Sequence, residues 1–231
     1  MRKELQVLGM ILLFGAACLP AAGATKVHVI SFGKWITASW TPATGAENER
    51  PQAIKVRALL VDGRLKEYVL GSSHEVTDRL FVVRRAFRVN DSLPDDSAVR
   101  WQWQRGGWLL VDRVTGHVSA VNLPDFDPLY SVASWYRDYV AYCGVADDGK
   151  KIFALVAQIG RRKPVLRKQL SNNQLQDDAA PDSACAPPTW QRNPARVSFE
   201  AAGTPKQIFA IRGHVVDIVN DSEEEDAEGL R

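Results

Sequence analysis

Short runs of apolar residues, separated by turn residues, recur along most of this 231-residue chain. They are clearest between Trp108 and Leu170, where Tyr139–Tyr142 and Lys151–Val156 are rich in β-branched and aromatic side chains. Asp148-Gly149 lies between these two runs, and this dipeptide supplies the positive φ angles that a tight hairpin needs. No segment carries an apolar stripe at helical spacing over three turns. The pattern therefore predicts an all-β fold built from antiparallel hairpins.

Alternation of apolar and polar residues, bounded by turn signals, defines the predicted strands. They cover Lys26–Phe32, Lys34–Trp40, Ala53–Leu60, Leu65–Leu70, Val76–Val89, Val99–Arg105, Trp108–Asp112, His117–Val121, Ser131–Trp135, Tyr139–Val145, Lys151–Ile159, Val165–Leu170, Arg196–Glu200, Gln207–Arg212 and His214–Val219. The hairpin around Asp62-Gly63 is the clearest. The segment Val76–Val89 fits one bent strand or two. Gly106-Gly107 predicts a turn between the strands on either side of it.

The first 24 residues have the three regions of a signal peptide. Arg2 and Lys3 are basic, Leu5–Phe14 is mostly apolar, and Ala22-Gly23-Ala24 has the small residues of a cleavage site. We therefore expect cleavage before Thr25 and export to the periplasm or to the exterior.

Two other interpretations of this segment remain. It could be an uncleaved membrane anchor, although its apolar stretch is shorter than the ~20 residues that a span needs. It could also carry a lipid on Cys18, because Phe14–Cys18 has two of the small residues of a bacterial lipobox, with Gly15 where a Leu is usual. No later stretch is apolar enough to span a bilayer, so the mature chain is predicted to have no transmembrane segment.

The remaining chain is predicted to form a single all-β domain over residues 25–220. Within it, residues 171–194 are polar and rich in proline, which indicates a long surface loop. Residues 221–231 are predicted to be a disordered acidic tail, because residues 221–228 include six acids in eight positions.

The balance of charges narrows the classes of partner. The chain has 29 basic and 27 acidic residues, a net charge of +2, which gives no general attraction to nucleic acid.

The cysteine content predicts a disulfide. The mature chain keeps Cys143 and Cys185, and two cysteines in an exported chain predict one disulfide between them. Two unrelated thiols are the alternative.

One part of the strand order resembles a known family. Its four predicted strands, joined by short turns, are Ser131–Trp135, Tyr139–Val145, Lys151–Ile159 and Val165–Leu170. This unit is similar to blades of TolB-type periplasmic β-propellers, in which an inner strand ends in Trp and a charged turn precedes an apolar strand. The Pro and Gly that are usual in that turn are missing here. The resemblance implies a propeller-like fold of about four blades, complete or incomplete. A β-sandwich of two antiparallel sheets is the alternative.

No motif for catalysis, metal binding or phosphate binding stands out. The histidines, none of which has metal-ligand spacing to another His or to a Cys, are His28, His74, His117 and His214. We expect no metal and no cofactor. Asp125 and Asp127 form an acid pair that could serve acid–base chemistry or bind Ca²⁺. Aspartates in such a Pro-flanked turn more often cap the local backbone.

The best ligand-binding candidates are consecutive residues of one strand, namely Trp101, Gln102, Trp103, Gln104 and Arg105. Strict alternation places the two indole rings on one face of that strand. Exposed indole rings stack on sugar rings, and neighbouring Gln and Arg side chains can bond hydroxyl groups. The same rings could instead fill the core between sheets.

These observations favour an exported, non-enzymatic β-scaffold of the cell envelope that binds another envelope or secreted protein through its loops. A carbohydrate-binding or peptidoglycan-binding module that uses the Trp101 strand is the first alternative. A hydrolase is the second, with a site assembled across sheets from Asp125, Asp127 and a histidine.

Overall fold

The computed structural model of the chain describes residues 27–40, 52–90, 92, 94, 98–146, 151–172, 185–213 and 215–219. The predicted signal peptide at residues 1–24 and the predicted acidic tail at 221–231 lie outside the described residues. The Asp148-Gly149 turn and most of the predicted loop 171–194 also lie outside them.

The described residues form fifteen β-strands and no helix. The strands are β1 (Ile30–Phe32), β2 (Ile36–Trp40), β3 (Gln52–Val61), β4 (Arg64–Glu75), β5 (Leu80–Asn90), β6 (Trp101–Asp112), β7 (Val118–Ala120), β8 (Ser134–Tyr136), β9 (Tyr139–Val145), β10 (Lys151–Gln158), β11 (Leu166–Asn172), β12 (Thr189–Gln191), β13 (Arg196–Phe199), β14 (Gln207–Arg212) and β15 (Val215–Val219). Every strand pair is antiparallel, so the predicted all-β antiparallel fold is confirmed.

Three sheets result from this pairing. The large sheet has seven strands in the order β1-β3-β4-β5-β6-β7, with β2 also paired to β3. The middle sheet has the order β11-β10-β9-β8, and the C-terminal sheet has the order β12-β13-β14-β15. The predicted four-stranded unit is therefore present as the middle sheet. A propeller of about four similar blades is not confirmed, because the first seven strands share one sheet.

Two expectations from the sequence differ from the structure. Gly106-Gly107 does not form a turn, since β6 runs without interruption from Trp101 to Asp112 beside β5. The pairing register shifts there between Arg84 and Ala86, so β6 has one extra residue opposite β5. The two glycines therefore lie in a β-bulge. In addition, β11 extends to Asn172 and β12 lies within the predicted loop 171–194.

The middle sheet is the buried layer of the molecule. Neighbouring residues of β9 point to opposite faces, and both Ala141 and Tyr142 are fully buried. One face packs on the C-terminal sheet through residues such as Phe199 and Phe209. The other face is covered by Phe126, from the connection before β8, and by the ring of Trp135, which lies in β8 of the same sheet. Burial on both faces explains why this part of the sequence has continuous apolar runs instead of clean alternation.

The large sheet carries a separate apolar cluster on each of its faces. Val69 belongs to one cluster, with Phe81 and Val83, whereas the adjacent Leu70 belongs to the other, with Trp40. The second face points toward the middle sheet, because Leu129, in the connection before β8, packs against it. The two clusters stabilise a sheet that is too large to be covered by one neighbouring layer.

The predicted pairing of Cys143 and Cys185 is confirmed. Their sulfur atoms are at disulfide distance and their Cα atoms are 6.4 Å apart. Cys143 lies in β9 of the middle sheet, and Cys185 forms a β-bridge with Ala201, next to the C-terminal sheet. The bond therefore fastens the middle sheet to the C-terminal sheet beside the apolar cluster that joins them.

Within the ranges that the structure describes, no helix is long and apolar enough to cross a membrane.

Replacing both cysteines with serine should lower the free energy of unfolding by about 4 kcal/mol, because the bond closes a 42-residue separation. Urea unfolding followed by circular dichroism measures this change. Dithiothreitol should destabilise the native chain to the same extent and leave the double variant unchanged. A native chain insensitive to dithiothreitol would contradict the disulfide.

Gly144→Ala should destabilise the chain by about 1–3 kcal/mol, because a Cβ at Gly144 would lie 2.2 Å from Leu155 Cδ1 and 2.9 Å from the Asp125 carbonyl oxygen. Gly107→Ala is the matched control, since a Cβ there meets nothing within 4 Å. Urea unfolding of both variants tests the expectation, and equal midpoints would count against the packing described for β9.

Candidate functional site

A cleft opens where the three sheets meet, and we call it the junction cleft. It has a volume of about 760 Å³, and each sheet contributes residues to its wall. The side chains that matter most for its chemistry are His74, Trp135, Tyr136, Arg137, Trp190 and Arg192. His74 comes from the end of β4, Trp135 and Tyr136 from β8, and Trp190 from β12. The cleft therefore exists because of the way the sheets pack together.

Trp135 joins the middle sheet to the large sheet at the base of the cleft. The His74 ring stacks on its indole, with ring centroids 5.7 Å apart, and Trp108 packs edge-on at 5.1 Å. His74 Nε2–H also donates a hydrogen bond of 2.8 Å to the Arg137 carbonyl oxygen. Arg137 has a φ of 52° in the turn after β8, and this conformation helps to present its carbonyl to His74.

Trp190 joins the C-terminal sheet to the same short strand. Its Nε1–H donates to the Ser134 carbonyl oxygen over 3.0 Å, and its ring lies 5.4 Å from the Tyr136 ring. The Tyr136 hydroxyl donates to the Arg192 carbonyl oxygen over 3.4 Å. Three consecutive residues of β8 thus hold contacts with both other sheets.

The junction cleft carries an excess of positive charge. Arg137 and Arg192 are exposed, and neither forms an ion pair with an acidic side chain in the described part of the protein. Glu75, the acid at the rim, is already neutralised by Arg113, whose guanidinium donates to both carboxylate oxygens at 2.7 and 2.9 Å. These hydrogen bonds hold the pKa of Glu75 below its ordinary value. An anionic group would therefore be attracted to the cleft.

A half-buried arginine fixes the connection that leads into the cleft. The Arg84 guanidinium donates to the carbonyl oxygens of Gly106, over 3.4 Å, and Pro128. Burial lowers its pKa to about 10, and the nearby charge of Arg105 adds to this effect. Because Pro128 precedes β8, the contact ties the chain entering the middle sheet to the large sheet.

The predicted ligand-binding strand does not present all its residues to solvent. Trp101 is 57% exposed, but Trp103 packs edge-on against Tyr68, with ring centroids 5.1 Å apart. The Arg88 guanidinium lies over both indole rings, at 5.6 Å from Trp101 and 5.4 Å from Trp103. Arg88 therefore covers part of the surface that a sugar would need.

The other three predicted residues of this strand lie closer to the core. The Gln104 side chain accepts a 3.3 Å hydrogen bond from Trp40 Nε1, and the Arg105 guanidinium lies 3.8 Å from the Trp40 ring centroid. Gln102 is half-buried opposite Val89. Two of the three thus support the cluster around Trp40, and Trp101 is the most exposed of the five.

The acid pair takes part in local structure. Asp125 Oδ2 accepts a 2.9 Å hydrogen bond from Arg167, and Asp127 Oδ1 accepts one of 2.8 Å from the Leu129 backbone. Neither acid contacts a histidine among the described residues. The described residues also contain no group of three or more His, Cys, Asp or Glu side chains arranged to hold a metal ion.

Sequence reasoning missed the junction cleft because its residues are far apart in the chain. His74, Trp135 and Trp190 belong to no spacing motif, and more than 50 residues separate each of them from the next. The apolar pattern could indicate that Trp135 packs in a sheet, but it carries no information about which sheet lies opposite.

Comparison with protein-family models, with curated proteins and with solved structures finds no match to this chain. The resemblance to TolB-type blades therefore stays a prediction.

Trp103→Ala should destabilise the protein by about 2 kcal/mol or more, because its ring packs in the cluster around Trp40. Trp101→Ala should lower the free energy of unfolding by less than about 1 kcal/mol, since more than half of that residue is exposed. Chemical unfolding followed by circular dichroism measures both. Equal losses would show that the two indoles share one environment, contrary to the structure.

Proposed function

We propose that this protein is an exported, non-enzymatic β-scaffold that binds a partner protein in the junction cleft. Export rests on the signal-peptide pattern of residues 1–24. The observation that carries the binding proposal is the cleft itself, which is lined by two exposed arginines, Arg137 and Arg192, and by aromatic rings from all three sheets. Arginine and aromatic residues are the types most enriched at the energetic centres of protein interfaces.

The cleft is held in shape before any partner arrives. Trp135 is fixed by two aromatic contacts, Trp190 by a hydrogen bond to Ser134, and Tyr136 by both a ring contact and a hydrogen bond. Side chains that are already ordered lose little conformational entropy on binding. A prearranged aromatic wall of this kind supports a recognition role.

The ring contacts favour a protein partner over a glycan in this cleft. Sugar binding needs an open aromatic face, whereas Trp135 already packs against His74 and Trp108. Tyr136 and Trp190 likewise pack against each other. The polar features that remain available are the Arg137 and Arg192 side chains, which suit carboxylate groups of a partner.

Glycan binding at the Trp101 strand is the second candidate function. It is favoured by one observation, the 57% exposure of Trp101. In that case Trp101→Ala should abolish retention on a glycan or peptidoglycan column and leave the fold intact.

Charge reversal in the cleft tests the main proposal. Tagged protein with Arg137→Glu and Arg192→Glu is compared with native protein in crosslinking pull-downs from the envelope fraction of the source cells. We expect a stoichiometric partner that is recovered at least tenfold less with the double variant, because two guanidinium contacts become repulsive.

The matched control is Arg161→Glu with Arg162→Glu, an equal change of charge on the exposed turn after β10. This control should recover the partner as the native protein does. Equal recovery by all three proteins, or equal loss with both variants, would overturn the assignment of binding to the junction cleft.

A further inference from the structure

The structure assigns the junction cleft a first occupant, which is the chain's own acidic segment, residues 221–228. This inference goes beyond the proposed function, because it concerns the protein before a partner binds. Its consequence is that a partner reaches the cleft by displacing this segment. The segment lies outside the described residues, and it follows β15, the last strand of the C-terminal sheet.

Charge complementarity is the first support. Residues 221–228 contain six acids in eight positions, whereas Arg137 and Arg192 are cations without an acidic partner in the described structure. Both arginines line the cleft beside Tyr136, since Arg137 Cζ is 5.5 Å from the Tyr136 ring centroid and the Tyr136 hydroxyl donates to the Arg192 carbonyl oxygen. Carboxylates form paired hydrogen bonds with guanidinium groups, so a run of acids can engage both.

The position of β15 is the second support. Its last residue, Val219, pairs with Ile208, which pairs with Ser198, which in turn pairs with Thr189. Thr189 lines the junction cleft. Val219 is thus three strand spacings from the cleft wall, about 14 Å at ~4.8 Å per spacing. About five extended residues cover that distance, so residues 224–228 can reach the cleft wall.

The face of the C-terminal sheet that the segment would cross is open. Thr189 Oγ1 and Ser198 Oγ form a 2.6 Å hydrogen bond on this face, and both side chains are solvent-accessible. The opposite face is closed, because Val197, Phe199 and Phe209 pack there against the middle sheet. A chain leaving Val219 therefore has a direct route to the cleft, first over the half-buried Ile208 and then over the polar pair Ser198 and Thr189.

Covalent attachment favours the chain's own acids over a free ligand of the same chemistry. A segment joined by a short connection has an effective concentration of about 1 mM at its site. An external acidic peptide would need to exceed that concentration or bind more tightly to replace it. Two other exposed cations on or beside the C-terminal sheet, Lys206 and Arg212, do not line the cleft.

A peptide-binding experiment tests the inference. The probe is a fluorescent peptide with the sequence of residues 220–231, and the receptor is the full chain with its six acids at 221–228 changed to the matching amides. Fluorescence anisotropy should show saturable binding. The native chain should bind the probe at least tenfold more weakly, because its own segment already occupies the cleft.

Two charge-reversal pairs in the amide-substituted chain locate the contact. Arg137→Glu with Arg192→Glu should weaken probe binding at least tenfold. Lys206→Glu with Arg212→Glu changes the charge equally on the C-terminal sheet and should leave the affinity for the probe within twofold of its value without these substitutions.

Two further measurements test whether binding depends on charge. A probe peptide with amides in place of its acids should not bind. Raising the salt from about 0.1 to about 1 M should weaken binding at least tenfold, because the screening length falls from about 10 to about 3 Å.

Several results would overturn the inference. These are no saturable probe binding, equal weakening by both charge-reversal pairs, and equal probe affinity of the native and amide-substituted chains. Matching circular dichroism melts show that each variant is folded. Partner capture in the pull-down does not involve the probe, so the inference can fail while cleft-dependent capture stands. Conversely, if the probe binds but the pull-down captures no partner, the inference about the acidic segment is supported and the proposed function is refuted.

Discussion

The arrangement of the three sheets depends on the packing around Trp135. Its ring lies between His74 and Trp108 of the large sheet, although its strand belongs to the middle sheet. On either side of it, Ser134 and Tyr136 contact Trp190 of the C-terminal sheet. A three-residue strand thus links three layers, and the junction cleft is the space left where those layers meet. Changes in this strand would alter the cleft and the stability of the assembly together.

Local pattern predicted most of the strands, because each is marked by its own residues. Gln207–Arg212 was predicted with its observed bounds, and the Asp62-Gly63 hairpin is confirmed. The turn predicted at Gly106-Gly107 is wrong, because a glycine pair is compatible with both a turn and a β-bulge. Only the pairing with the neighbouring strand decides between the two. β12 was missed because it has only three residues, and one half-buried Trp between an exposed Thr and an exposed Gln is too short a pattern to indicate a strand.

The candidate site was predictable to a smaller extent. Alternation placed Trp101 and Trp103 on one face, but it could not reveal that Tyr68 and Arg88 pack against them. The junction cleft was beyond sequence reasoning, since it depends on which sheets pack together. The disulfide could be predicted because Cys18 lies in the predicted signal peptide, which leaves Cys143 and Cys185 as the one pair in the mature chain. That pair joins the middle sheet to the C-terminal sheet.

Site-specific photo-crosslinking in the source cells tests whether the junction cleft is the surface that binds the partner. A photoreactive amino acid is placed at Thr189, which is exposed and lines the cleft, and separately at Arg161 on the turn after β10. We expect one discrete adduct with a partner protein from position 189 and none from position 161. The same adducts from both positions, or none from position 189, would show that the junction cleft is not the binding surface.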